Sequence, residues 1–86
     1  MYYVYILYSE KLDGYYKGYT QNIEKRLLRH NSGVENYTSK GVLWVLKLTI
    51  EKSSKTEAII LERKLKNLNR VRLEGFIEKY SSNQDD

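Results

Sequence analysis

Residues 2–20 read YYVYILYSEKLDGYYKGYT, and the fold follows from this stretch. Tyr2 to Ser9 is almost entirely aromatic, β-branched or aliphatic, the composition of a strand buried on both faces. Alternation puts Tyr3, Tyr5 and Leu7 on one side and Val4, Ile6 and Tyr8 on the other. Glu10 to Gly14 ends in Asp13-Gly14, a hairpin turn signal. Tyr15 to Thr20 is then the antiparallel partner strand, so the chain opens on a β-hairpin.

Downstream, the period changes. Thr20 or Asn22 can cap a helix in which Ile23, Leu27 and Leu28 form the apolar stripe and Gly33 the stop. The segment from Val34 to Gly41 is polar and reads as a loop. Val42 to Ile50 alternates, with Val42, Trp44, Leu46, Leu48 and Ile50 expected on one face of a third strand. Ser54-Lys55-Thr56-Glu57 fits a capping box. Ala58, Leu61, Leu65 and Leu68 follow at helical spacing, which predicts a helix to about Asn67. Asn69 can cap a last helix carrying Leu73, Phe76, Ile77 and Tyr80. The expected fold is α+β: a small three-stranded antiparallel sheet flanked by helices, in the order β-β-α-β-α-α. One domain over residues 1–80 and a disordered polar tail over 81–86 complete the expectation.

Composition narrows the function. The 86 residues include nine Tyr, one His and no Cys or Pro. A chain this short builds one core. Without cysteine there is no disulfide scaffold, thiolate nucleophile or Cys-ligated zinc, and a lone His rules out a His-rich metal site. No apolar run approaches the length of a membrane span, and the N-terminus lacks the basic and small-residue parts of a signal peptide. A cytoplasmic protein with no membrane partner is the expectation. Between Lys11 and Arg72 there are fourteen Lys or Arg and six Asp or Glu, whereas Glu74, Glu78, Asp85 and Asp86 leave the C-terminal end acidic. A basic working region suits a polyanion, nucleic acid first, against the plainer reading of a solvated surface.

Single residues sharpen this only in combination. Arg26 and His30 lie one helical turn apart at the margin of an apolar stripe, an arrangement suited to a phosphate oxyanion but, taken alone, more often the surface of an ordinary amphipathic helix. Glu62 stands one step off the next stripe. A lone carboxylate there can hold Mg²⁺, or simply pair with Lys66 four residues on. Tyr5 and Tyr16 sit on paired strands. A phenol titrating near pH 10 is a poor base unless cations lower it.

Taken in order, these pieces resemble the GIY-YIG nuclease family, in particular its small single-domain members, similar to the N-terminal domain of a repair excinuclease. Val4-Tyr5-Ile6 matches the first signature strand and Tyr16-Lys17-Gly18 the second. The helix carrying Arg26, His30 and Asn31 follows, and then Glu57-Ala58-Ile59 with Glu62 and Lys66 on the metal-bearing helix. Val4 replaces the first motif's glycine, Lys17 replaces the second motif's isoleucine, and Tyr19 stands where some members carry an activating lysine. The resemblance implies an endonuclease that hydrolyses DNA phosphodiester bonds with one Mg²⁺ or Mn²⁺ ion on Glu62, in DNA repair or recombination. It also implies catalytic roles for Tyr5, Tyr16, Arg26, His30 and Glu62. Lys17, Lys25, Arg29, Lys40, Arg63, Lys64 and Lys66 are the expected backbone contacts to DNA. With one face to offer, binding should depend strongly on salt and weakly on sequence, so that targeting falls to DNA shape or a partner protein. A nucleic-acid-binding module that keeps the fold without turnover is the alternative.

Overall fold

In the computed structural model, which describes residues 1–82, β1 (Tyr2–Ser9) is the central strand of a three-stranded antiparallel sheet. It lies between β2 (Gly14–Thr20) and β3 (Trp44–Lys52), in the order β2-β1-β3. Three helices complete the fold: α1 (Ile23–Asn31), α2 (Lys55–Lys66) and α3 (Arg70–Ser82). A 3-10 turn over Ser39–Gly41 precedes β3. The element order and sheet are those expected from the sequence. The expected tail begins inside α3, and its residues 83–86 lie outside the described residues.

A central strand has two faces to cover, and β1 does so with two separate cores. Val4 and Ile6 pack with Leu48, with Ala58 and Leu65 of α2, and with Leu73 of α3. Tyr5 and Leu7 pack on the other face with Trp44, against Tyr16, Leu46 and the α1 residues Ile23 and Leu27. Tyr5, Tyr16 and the α1 residues discussed below stand on or beside this second, aromatic face, whereas α2 packs on the first.

The apolar stripe of β3 is divided between the two faces, contrary to the single face expected. Leu7 pairs with Leu46 but Ile6 pairs with Leu48, which leaves Lys47 as an extra residue in the ladder. One inserted residue reverses the facing of everything beyond it. Trp44 and Leu46 therefore join the Tyr5 side, while Leu48 and Ile50 join the Val4 side. Uniform alternation on paper conceals this because the bulge is a property of the pairing, not of β3 alone.

The helix starts follow local chemistry. The Asn22 side chain accepts a hydrogen bond from the Lys25 amide at 3.0 Å, and Thr20 Oγ1 accepts from the Asn22 amide at 3.1 Å. Ser54 Oγ accepts from the Glu57 amide at 3.2 Å. Glu57 accepts in turn from the Ser53 and Ser54 hydroxyls, rather than from the Ser54 amide of the usual box. Asn69 caps α3 through the Arg72 amide at 2.9 Å. Gly33, at φ +77°, ends α1 in the left-handed region that glycine adopts without steric cost.

Candidate active site

α1 places Arg26 and His30 on one face, and the helix packs so that the face meets the Tyr5 side of the sheet. The sequence puts His30 at the margin of the stripe. In the structure it is completely buried. The loop after α1 folds back over it. Asn31 fastens that loop, its side chain accepting from the Trp44 amide at 2.6 Å and donating to the Trp44 carbonyl at 3.0 Å. Trp44 Nε1 donates to the Thr38 carbonyl at 2.8 Å, which holds Thr38, itself fully buried, beside the imidazole.

His30 thus has a partner on each ring nitrogen. Nε2 lies 2.9 Å from Tyr5 Oη, and Nδ1 lies 3.0 Å from Thr38 Oγ1. The Tyr5 phenol is buried and must place its proton. Nε2 is the acceptor within reach, while the Arg26 guanidinium acts on the phenol oxygen and favours its anion. That network assigns the imidazole proton to Nδ1, which donates to Thr38. Tyr16 completes the cluster, its ring 4.9 Å from His30 edge-on and 6.3 Å from Tyr5 between centroids.

Burial dominates the electrostatics. It pushes the Tyr5 phenol up, helped by neighbouring Tyr16, and the opposing pull of Arg26 does not compensate. Tyr16 is also raised by burial, with Lys66 pulling it down and Glu35 and Glu62 pushing it up. Burial lowers His30, against a raising contribution from Glu35. At neutral pH both phenols hold their protons and the imidazole is neutral, so Nε2 is free to accept.

A stability consequence follows. Unfolded, His30 takes up a proton near pH 6.5, whereas in the fold it does so only at lower pH. Its contribution is complete above about pH 6.5 and declines as the pH falls below that, because the unfolded state then binds more protons. The urea midpoint of the wild type is expected to fall between pH 7.5 and 5.5. In His30→Gln, which cannot titrate, the same change should move it much less. Equal shifts in the two proteins would contradict the assignment of a neutral His30.

Tyr5 pairs across the ladder with Gly18, which explains the glycine. A Cβ at Gly18 would stand 2.5 Å from Tyr5 Oη and 2.7 Å from Cζ. The phenol ring therefore lies directly over the β2 backbone, where no side chain fits. Gly18→Ala is expected to destabilise the protein by about 1–3 kcal/mol through overpacking and to displace the Tyr5 hydroxyl from His30. Chemical denaturation would give the first, and the His30 imidazole ¹⁵N shifts the second.

Glu62, on α2, lies on the opposite side of the β2 edge from α1, yet its carboxylate acts on the Tyr16 phenol, as Arg26 does. Its side chain is 15% exposed and pairs with Lys66 at 3.4 Å. One partly open carboxylate beside a phenol fits Mg²⁺ or Mn²⁺, ions that keep several waters and take one or two protein carboxylates. Glu62 would be the protein ligand, and Lys66 the cation it displaces. Tyr5, Tyr16, Arg26 and His30 thus form one cluster, and Glu62 reaches it from α2 only through Tyr16.

The cations expected to meet DNA are more dispersed. Lys25 and Arg29 are exposed one turn apart on α1, and Arg29 pairs with Glu35 at 2.6 Å. Lys40 is exposed on the 3-10 turn, and Arg63, Lys64 and Lys66 are exposed on α2. Lys17 differs. It pairs with Ile6 on the face away from Tyr16, half-buried, and desolvation followed by the Lys66 charge lowers its pKa. Thr38, Glu35 and Trp44 were not among the expected site residues. A threonine and a glutamate in a polar loop carry no pattern of their own, and Trp44 reads simply as core.

Comparison with known proteins agrees with this picture. The family model described as the GIY-YIG catalytic domain matches residues 1–80. A UPF0213 protein of Halobacterium salinarum is 37% identical over 78 residues, covering 88% of this chain and 99% of the relative. A UPF0213 protein of Bacillus thuringiensis subsp. konkukian is 41% identical over 66 residues, covering 76% of this chain and 69% of the relative. The solution NMR structure of a UPF0213 protein from Bacillus halodurans superposes with a TM-score of 0.59 at 34% identity, covering 91% of this chain and 84% of that one. Among the described residues, no helix is long and apolar enough to cross a membrane. A hairpin that lays Tyr5 over Gly18, and a helix that carries Arg26 and His30 to it, are features of a chain that belongs to the GIY-YIG family.

Proposed function

We propose that this protein is a divalent-metal-dependent endonuclease that hydrolyses DNA phosphodiester bonds, acting in the cytoplasm in DNA repair or recombination. The observation that carries the reading is the Tyr5–His30 hydrogen bond, buried beside Arg26 and beside Tyr16, the phenol on which the Glu62 carboxylate acts. A phosphodiester needs a nucleophile, neutralisation at phosphorus and a stabilised leaving oxygen.

Tyr5 and His30 supply the base as a pair. An attacking water gives a proton to the phenol oxygen as the phenol passes its own proton to His30 Nε2. The resulting hydroxide oxygen bonds to phosphorus and the bond to the leaving oxygen breaks, that oxygen taking a proton from solvent. The transfer needs no free phenolate, which suits a Tyr5 whose pKa is raised. Thr38 accepts from Nδ1–H and keeps the developing imidazolium oriented. Arg26 stabilises charge on the non-bridging oxygens, and Tyr16 orients the water. A divalent ion held by Glu62, when bound, supplies Lewis-acid neutralisation of the phosphate and leaving group. Backbone contacts carry little sequence information, so a partner protein would target the enzyme.

A second reading, a DNA-binding module without turnover, draws on the Glu62–Lys66 pair, which occupies the carboxylate the metal needs. Incubation with nicked, branched, flapped and linear DNA in Mg²⁺ or Mn²⁺ separates the two. Cleavage that stops with EDTA supports the nuclease. Salt-dependent binding with no cleavage of any substrate supports the module instead.

A further inference from the structure

Arg26 also borders a second feature, a groove of about 630 Å³ that curls around the end of β2 between α1 and the start of α2. Its wall includes two phenols, Tyr2 and Tyr19, and its rim carries Lys25, Arg26, Arg29 and Lys55; no carboxylate lines it. Lys25 and Lys55 make no ion pair among the described residues, whereas Arg29 is partly neutralised by Glu35. The two phenol rings are tilted by 51° with centroids 6.5 Å apart, so they are not closed face to face. Both rings are half-buried, against the Val4 side of the sheet.

We infer that this groove is a subsite for single-stranded nucleic acid leading away from the candidate active site, an assignment that rests on the nuclease reading above. The chemistry is that of single-strand recognition: cations that track the backbone and aromatic rings on which an unpaired base stacks. A duplex hides its base faces, so stacking on the open parts of these rings requires an unpaired base. Scale supports the connection. From Glu62 to Lys55 is seven residues of α2, roughly 10 Å at about 1.5 Å per residue. That is a span of only a few nucleotides. Arg26 belongs to both sites and marks where one leads into the other.

The test is fluorescence anisotropy in EDTA, so that binding is read without cleavage, using a labelled oligothymidylate of about ten nucleotides and a blunt duplex of equal length. Wild type is expected to bind the single strand at least fivefold more tightly. Lys25→Gln combined with Lys55→Gln should weaken single-strand binding about tenfold and reduce the slope of log K against log salt by about 1.4, the value for two lost phosphate contacts. Tyr19→Leu should weaken it at least fivefold and leave that slope unchanged. Far-UV circular dichroism checks folding, and Tyr2→Leu serves if Tyr19→Leu unfolds. Equal affinity for duplex and single strand, or unchanged binding in the Lys double variant, overturns the subsite. The nuclease reading is judged separately in Mg²⁺. Cleavage by wild type with unaffected groove variants removes only the subsite, and groove-dependent binding without cleavage removes only the nuclease.

Discussion

Glu62→Gln is expected to reduce DNA cleavage at least ~10³-fold, to below detection in an ordinary gel assay, while the fold and DNA affinity persist. The substitution keeps the shape of the side chain and removes its charge. A neutral amide cannot hold a divalent cation against water, and the charge neutralisation assigned to that cation is the largest electrostatic contribution in the proposed reaction. The structural effect should be small. The Glu62–Lys66 pair is an i,i+4 contact with Lys66 half exposed, and such pairs contribute about 0.3–0.5 kcal/mol. Melting temperature should therefore change little. Lys66→Met provides the complementary measurement, since removing the competing ammonium should let cleavage saturate at lower Mg²⁺. Undiminished cleavage by a folded Glu62→Gln would falsify the role assigned to this carboxylate.

The largest stability effect is expected from Trp44→Ala, at about 3–5 kcal/mol. Trp44 is only 6% exposed, packs with Tyr5 and Leu7, and lies 6.1 Å from the Tyr16 ring between centroids. Truncation would open a large cavity on the aromatic face and leave the Thr38 carbonyl without its indole donor. For a domain this small, each kcal/mol shifts the melting temperature by about 4–8 °C, so thermal denaturation should show a drop of at least ~12 °C. Trp44→Phe keeps most of the ring and loses the N–H. A cost of about 1–3 kcal/mol there would measure the fastening of the Thr38 loop apart from the packing. If Trp44→Ala melts within a few degrees of wild type, the aromatic face is not an independent core.

Where local chemistry decides, the sequence was legible. The caps at Asn22, Ser54 and Asn69 and the alternation of Val4 and Ile6 against Tyr5 and Leu7 stand as expected, and so does the hairpin, although its turn falls on Glu10 to Asp13 and Gly14 already opens β2. β3 was legible only in part. Its alternation was visible but its bulge was not, since Lys47 is unpaired only relative to β1. His30 is the sharpest case among the site residues. Its helical position puts it at a stripe margin, and complete burial comes from a loop eight residues further on.

Alternation, helical spacing, capping residues and the turn signal were enough, taken by themselves, to establish the element order and the motifs that carry the family resemblance. Those features depend on residues near one another in the chain, where hydrogen bonding, side-chain volume and periodicity act directly. Tertiary structure alone decided which residues touch. It laid Tyr5 across Gly18, closed Thr38 onto His30 through Trp44, split β3 between two cores, and brought Arg26 to both the candidate site and the neighbouring groove. The physical reason is desolvation. How far each phenol and the imidazole shift, and in which direction, depends on what is packed over them by distant segments, and no local pattern encodes that.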